Sequence, residues 1–147
     1  DGGVLYAAGA EKVSGGRWKG VLWKDGQPTY FTEEVGTEVT GLYVKEGKYI
    51  IEGNMTADSG DIVTCIWTEE GVQVISEGMA LCQGTGLAVA GSDIYVAGNA
   101  YDMDYDTYEE IYRSPVWKNG TEMALEVVSS DNFTVWGLAC AFVDTQE

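Results

Sequence analysis

The sequence predicts an all-β fold made of three repeats of four short strands. Three observations predict it: the composition, the lack of any long amphipathic helical pattern, and three short motifs that recur in one order. The 147 residues include 20 glycines, nine tyrosines and five tryptophans but only two prolines. This composition is typical of short strands joined by tight turns. The length suits one domain at most.

The recurring motifs define the repeat. The first places a tyrosine three residues before a glycine, and its glycines, 44 and 45 residues apart, are Gly9, Gly53 and Gly98. The second places a tryptophan before a turn, and its tryptophans, 44 and 50 residues apart, are Trp23, Trp67 and Trp117. The third is a Gly-Leu pair, 45 and 51 residues apart, that begins at Gly41, Gly86 and Gly137. Three motifs with matching periods indicate an internal repeat.

Each repeat is predicted to contain four strands, named a to d. Strand a carries the Gly-Leu pair, strand b runs from the tyrosine to its glycine, and strand c ends at the tryptophan. The Asp25-Gly26 and Asn119-Gly120 pairs that follow strand c are hairpin turn signals, because Asp, Asn and Gly tolerate a positive φ. Strand d follows the turn, at 29–31, 72–75 and 123–125.

Four short antiparallel strands with this period predict a blade of a β-propeller. The repeats cover residues 1–38, 39–83 and 84–134, and residues 135–147 supply a last strand a. The chain thus runs b-c-d, then two a-b-c-d sets, then a lone strand a. This is the permuted order by which propellers close, with the last strand completing the first blade.

Three blades are fewer than the four to eight that propellers typically have. Two copies could form a six-bladed ring if each lends its strand at Gly137 to the partner's strand at Val4. The competing interpretation is that the sequence is a fragment of a longer chain. The sequence therefore leaves two interpretations open, a homodimer that completes the ring and a fragment of a longer chain.

The repeat resembles a known family of bacterial cell-envelope β-propeller proteins, whose repeats carry Tyr-Val-Ala-Gly and Trp-Lys-Asn-Gly motifs. The closest matches are 95–98 and 117–120, and the resemblance covers nearly the whole chain. A more distant similarity is to kelch repeats. The middle repeat departs from the pattern, with Glu52 in place of alanine. The resemblance implies an extracytoplasmic protein, secreted or anchored in the cell envelope, whose export signal has been removed or lies outside this sequence.

The charge excludes several functions. The chain has 24 acidic and eight basic residues, no histidine and a formal charge of −16. Such a charge repels phosphate backbones and anionic membrane surfaces, so we expect no nucleic-acid partner. Without histidine, the chain cannot contain a Ser-His-Asp or Cys-His system. The longest apolar stretch, at 138–143, has six residues, against the roughly 20 that span a bilayer, so no membrane insertion is expected.

An insertion between strands b and c of the third repeat, at 101–112, provides the candidate ligand-binding residues. They are Tyr101, Asp102, Asp104, Tyr105, Asp106 and Tyr108. Tyrosines and carboxylates together suit recognition of a protein or a glycan. The alternating aspartates also match the start of a calcium loop, although Thr107 stands where such a loop needs glycine. The third interpretation is a solvated acidic loop.

Other aromatic and sulfur-bearing residues have simpler interpretations. The repeated tryptophans are predicted to pack between blades. Trp136 stands where the other repeats have Thr40 and Thr85, near the predicted channel mouth, and is a further candidate ligand contact. Cys65 and Cys140 align with core positions, whereas Cys82 lies in a less regular segment that could be exposed.

These observations favour a non-catalytic, extracytoplasmic binding or scaffolding module without a cofactor. Two alternatives stay open. One is a carbohydrate-active enzyme that uses carboxylates in the channel, although a close pair among 24 acids is expected from composition alone and is no evidence for it. The other is calcium-dependent binding. No catalytic or metal-ligating residue is assigned.

Overall fold

The computed structural model describes residues 1–33, 36–77, 79, 81–104 and 106–124, and these residues are all-β, as predicted. They form the strands β1 Tyr6–Lys12, β2 Trp18–Lys24, β3 Gln27–Tyr30, β4 Glu38–Lys45, β5 Lys48–Thr56, β6 Ile62–Thr68, β7 Gly71–Val74, β8 Leu81–Ala90, β9 Asp93–Asp104, β10 Glu109–Arg113, β11 Val116–Lys118 and β12 Thr121–Met123. The predicted closing strand at 135–147 lies outside the described residues.

The strands form three consecutive antiparallel units. The first unit is β1-β2-β3, the second is β4-β5-β6-β7, and the third is β8-β9-β11-β12. In the third unit, β10 also pairs with β9. A single parallel residue pair, Ile62 with Leu81, joins the second and third units. Within the described residues, the predicted strands a to d therefore fall on strands in the predicted order, while closure into a ring stays a prediction.

Tight turns set the register inside each unit. Asp25 and Gly26 have φ values of 48° and 80°, and Asn119 and Gly120 have values of 52° and 79°. Two consecutive positive φ angles define the turn type whose twist matches that of the flanking strands. The two hairpin turns predicted from these residues are therefore confirmed.

The same bulge occurs in the second and third units. Thr40 is skipped in the pairing of β4 with β5, and Thr85 is skipped in the pairing of β8 with β9. Each bulge brings a backbone carbonyl against a repeat glycine on the facing strand. A Cβ atom on Gly53 would overlap the carbonyl oxygen of Glu38, and one on Gly98 would lie 2.7 Å from that of Gln83. Close backbone approach thus explains the repeat glycine in the second and third units.

Two hydrophobic clusters form the core, and each lies between consecutive units. The cluster between the first and second units consists of Leu22, Ile51, Val63, Cys65 and Trp67. The cluster between the second and third units consists of Ile66, Ile75, Met79, Cys82, Val96, Ala100 and Trp117. Trp67 and Trp117 are each only 1% exposed. The packing role predicted for these two tryptophans agrees with their burial.

The structure corrects the interpretation of Cys82. The sequence suggested an exposed position in an irregular segment, but Cys82 lies in β8 and is completely buried. Strand a begins earlier in the third unit than its Gly-Leu pair indicates, and this extension carries the thiol into the core beside Thr64. Burial raises the pKa of the Cys82 thiol above its ordinary value. Cys65 is buried as predicted, and Cys140 lies outside the described residues.

Candidate binding sites

The insertion of the third repeat forms a β-hairpin rather than a loop. Strand β9 continues to Asp104, and β10 returns from Glu109. The rings of Tyr101 and Tyr112, on facing positions of the two strands, have centroids 5.3 Å apart. Alternating aromatic and polar residues favour this pairing, because cross-strand aromatic pairs stabilise hairpins. The structure thus brings Tyr101, Asp102, Asp104, Asp106 and Tyr108 together in one hairpin, while Tyr105 and Trp136 lie outside the described residues.

Asp104 closes the turn of this hairpin. Its Oδ1 atom accepts hydrogen bonds from the backbone amides of Asp106, at 2.8 Å, and Thr107, at 3.2 Å. These two amide contacts hold the pKa of the Asp104 carboxyl below its usual value. Asp102 likewise accepts a hydrogen bond from the amide of Met103. Both aspartates therefore have a local structural role in the hairpin.

The outer part of the hairpin presents large side chains to solvent. Tyr108, at the turn, is 78% exposed and has a φ of 57°. Ile111 and Tyr112 on β10 are 40% and 49% exposed. The corresponding connections of the other units, at 13–17 and 57–61, are short turns. The hairpin is thus an extension specific to the third unit, with exposed apolar and aromatic surface.

A second candidate site lies where the two bulged strands approach each other. It is a pocket of about 260 Å³, here called the bulge pocket, and it is lined by Glu38, Thr40, Asn54, Gln83, Gly84 and Thr85. Asn54 supports its wall, because its Oδ1 atom accepts a hydrogen bond from the amide of Gly84 at 2.7 Å. Its Nδ2 atom lies 3.3 Å from a carboxylate oxygen of Glu38. This asparagine thereby links the second unit to the third.

Glu52 lies directly behind the wall of the bulge pocket and is completely buried. Its Oε2 atom accepts a hydrogen bond of 2.5 Å from the hydroxyl of Thr40, and its Oε1 atom has no hydrogen-bond partner. The carboxyl group occupies space that the missing side chain of Gly84 leaves open. Burial, together with the nearby charge of Glu38, raises the pKa of Glu52 to about 7, although the Thr40 hydroxyl opposes the shift.

Sequence reasoning did not select Glu52, although a signal was present. The repeat places alanine at this position in the other two units, as Ala8 and Ala97. A carboxyl group in place of a buried alanine methyl is costly unless it has a role or a partner. In the sequence, Glu52 is visible only as a departure from the Tyr-Val-Ala-Gly pattern of the repeat. An acidic residue at a core position of the repeat is thus the sequence signal for the bulge pocket.

Comparison with known proteins adds no relative: no protein family, curated protein or solved structure matches this chain. The part of the chain that the structure describes has no helix of the length and apolar character needed to cross a membrane. In that same part, no three histidine, cysteine, aspartate or glutamate side chains are grouped so that they could hold a metal ion. The described residues therefore define an all-β protein with two candidate contact sites.

Proposed function

We propose that the chain is a non-catalytic binding module built from β-propeller blades, and that its partner contacts the β9–β10 hairpin. The repeated antiparallel units and the two cores between consecutive units support the propeller part of this proposal. Each unit buries its face against the next one, which is how blades are stabilised. The extracytoplasmic location belongs to the same proposal and depends on the resemblance of the repeat motifs.

The exposed surface of the hairpin carries the binding part of the proposal. Tyrosine rings bury a large area on binding and lose little conformational entropy, so they are frequent anchors at interfaces. Tyr108 and Tyr112 lie on an extension that only the third unit has. Their neighbours Glu109 and Glu110 are exposed acceptors for hydrogen bonds. A protein segment or a glycan with hydroxyl groups fits this combination.

A binding screen with hairpin variants tests the proposal. Wild-type protein is screened on a glycan array and on an array of peptides, and each hit is measured again with Tyr108→Asn/Ile111→Ser. Asparagine tolerates the positive φ of Tyr108, so the hairpin should persist. We expect at least tenfold weaker binding, since anchors of this kind contribute 2 kcal/mol or more. The matched control is Leu5→Gln, which changes a residue that is 72% exposed on the first unit.

Two outcomes would contradict the hairpin as the contact. One is unchanged affinity of the hairpin variant for every hit. The other is an equal loss of affinity in Leu5→Gln, which would indicate nonspecific apolar adhesion. Circular dichroism of both variants verifies that the strands persist.

Assembly into a six-bladed ring by two copies is a further part of the proposal. Strand β1 supports it, because within the described residues β1 pairs only with β2 and forms one edge of its sheet. Light scattering after size-exclusion chromatography is expected to give twice the chain mass of 15.9 kDa. The dimer should tighten as salt screens the repulsion between two chains of charge −16. A monomer at all salt concentrations would contradict this assembly.

The enzyme alternative rests on Glu38 and Glu52 in and behind the bulge pocket. A general acid must come within hydrogen-bond reach of the atom that it protonates. Glu52 is completely enclosed, so the geometry favours binding over hydrolysis at this pocket. The calcium alternative gains no support from Asp104, whose Oδ1 atom is engaged by the turn.

A further inference from the structure

The bulge pocket is lined mainly by polar residues and contains one carboxylate, that of Glu38. Its lining side chains end in a carboxylate, hydroxyls and amides, and no lysine or arginine is among the described residues that line it. Neither Glu38 nor Glu52 takes part in the ion pairs found among the described residues. A carboxylate without a cation in a partly enclosed space favours the binding of a positive ligand.

Glu52 adds a second carboxyl group directly behind the pocket wall. It is completely buried, and its Oε1 atom lacks any hydrogen-bond donor. A buried carboxylate that lacks a donor on one oxygen is disfavoured, so the group stays protonated until a higher pH or a nearby positive charge favours its ionised form. Thr40, which lines the pocket, bonds to the other oxygen of the same group. The Thr40 hydroxyl therefore lies between the pocket and the buried carboxyl group of Glu52, to which it is hydrogen-bonded.

We infer that the bulge pocket binds a primary ammonium group. The side chains with acceptor oxygens that line it are spread over two strands: Glu38 and Thr40 on β4, and Gln83 and Thr85 on β8. An ammonium group has three donors directed to separate points, which suits such a set. A guanidinium is held best by a carboxylate with both oxygens available, whereas Oε2 of Glu38 already accepts a hydrogen bond from the Asn54 amide. Ligands of this class are alkyl amines and the side chain of lysine.

Glu52 acts in this binding through Thr40 rather than by direct contact. When Glu52 is ionised, the Thr40 hydroxyl donates to it, and the oxygen lone pairs of Thr40 are free to accept a bond from the ligand. The charge behind the wall also attracts the ammonium. Binding therefore favours the ionised form of Glu52, and by reciprocity ionisation of Glu52 favours binding.

This coupling makes binding dependent on pH. Burial holds the pKa of Glu52 near 7, so its ionised fraction rises between pH 6 and 8. The charged and titratable groups around it are Glu38 on β4 and, beyond Thr64 of β6, Cys82 on β8. The raised pKa keeps the Cys82 thiol protonated in this interval. We expect wild-type affinity for an alkyl amine to increase about fivefold from pH 6 to pH 8.

Titration calorimetry with 1,4-diaminobutane, ethylammonium and the peptide acetyl-Ala-Lys-Ala-amide tests the inference. The free amines and the peptide distinguish a small-molecule ligand from a lysine of a protein partner. Potassium chloride and glucose, at the same concentrations as the amines, are the controls: potassium tests for binding of any small cation, and glucose tests for binding of any polyol. At pH 7, amine binding should also release protons, seen as a binding heat that varies with the ionisation enthalpy of the buffer.

Two variants assign the roles. Glu38→Gln should weaken amine binding at every pH, because it removes the charged acceptor in the pocket. Glu52→Gln should weaken it about tenfold at pH 8 and abolish both its pH dependence and the proton release. Glu69→Gln, on the exposed turn after β6, is the matched control and should bind as wild type does. No amine binding at 10 mM, equal binding of glucose or potassium, or an unchanged pH profile in Glu52→Gln would overturn the inference.

Discussion

Replacing Trp67 by alanine is expected to lower the free energy of unfolding by about 3–5 kcal/mol. Trp67 is 1% exposed and belongs to the core between the first and second units. Its ring lies edge-on to that of Phe31 from the segment after β3, with centroids 5.4 Å apart. The substitution removes buried apolar area and leaves a cavity between two units that cannot easily collapse onto each other. Urea unfolding followed by circular dichroism measures the loss.

Two further variants separate packing from other effects of this substitution. Trp67→Phe should cost less than about 1.5 kcal/mol, because it retains an aromatic ring and removes an indole N–H that has no hydrogen-bond partner. Trp18→Ala, at a tryptophan that is 50% exposed, should cost about 1 kcal/mol. If Trp67→Ala were no more destabilising than Trp18→Ala, the contact between the first two units would not depend on Trp67.

The sequence contained enough information for the strands and their order. The repeated Gly-Leu, Tyr-to-Gly and Trp motifs fall on β4, β5, β6 and their counterparts because each meets a local geometric need. Gly98 illustrates this: a methyl group there would lie 3.1 Å from the ring of Trp117 and 2.7 Å from a backbone carbonyl oxygen. A glycine that recurs at one position of the repeat can be recognised from the sequence alone.

Features that differ between repeats were harder to predict. The hairpin formed by β9 and β10 depends on cross-strand pairing such as that of Tyr101 with Tyr112, and periodicity alone does not distinguish such pairing from an acidic loop. Cys82 lies in the part of β8 that precedes the Gly86-Leu87 motif, and no periodic signal marks this extension of the strand. The bulge pocket requires two strands that are far apart in sequence to approach, and no local pattern encodes that approach.

The buried carboxyl of Glu52 makes the stability of the protein depend on pH. Its pKa is raised from an ordinary value of 4.5 to about 7, chiefly by burial. Between these two values, the folded state holds a proton that the unfolded state has lost. The contribution of the protonated group to stability is therefore complete below pH 4.5 and is lost as the pH rises through 7. At pH 8 the buried charge costs about 3 kcal/mol.

Glu52→Gln should therefore be more stable than wild type at pH 8, by about 3 kcal/mol, and equal to it near pH 4.5. Glutamine has the shape of the protonated carboxyl and keeps a partner in Thr40, but it cannot ionise. Urea unfolding of both proteins at pH 4.5, 6, 7 and 8 measures the difference. Glu69→Gln, an exposed acid, separates this local effect from the general repulsion of a chain with charge −16. Its difference from wild type should stay below about 0.5 kcal/mol throughout. A Glu52→Gln difference that did not change with pH would mean that the carboxyl is ionised in the folded protein even at pH 4.5. In that case a cation or water must already reach Oε1, and its burial would not set the pKa.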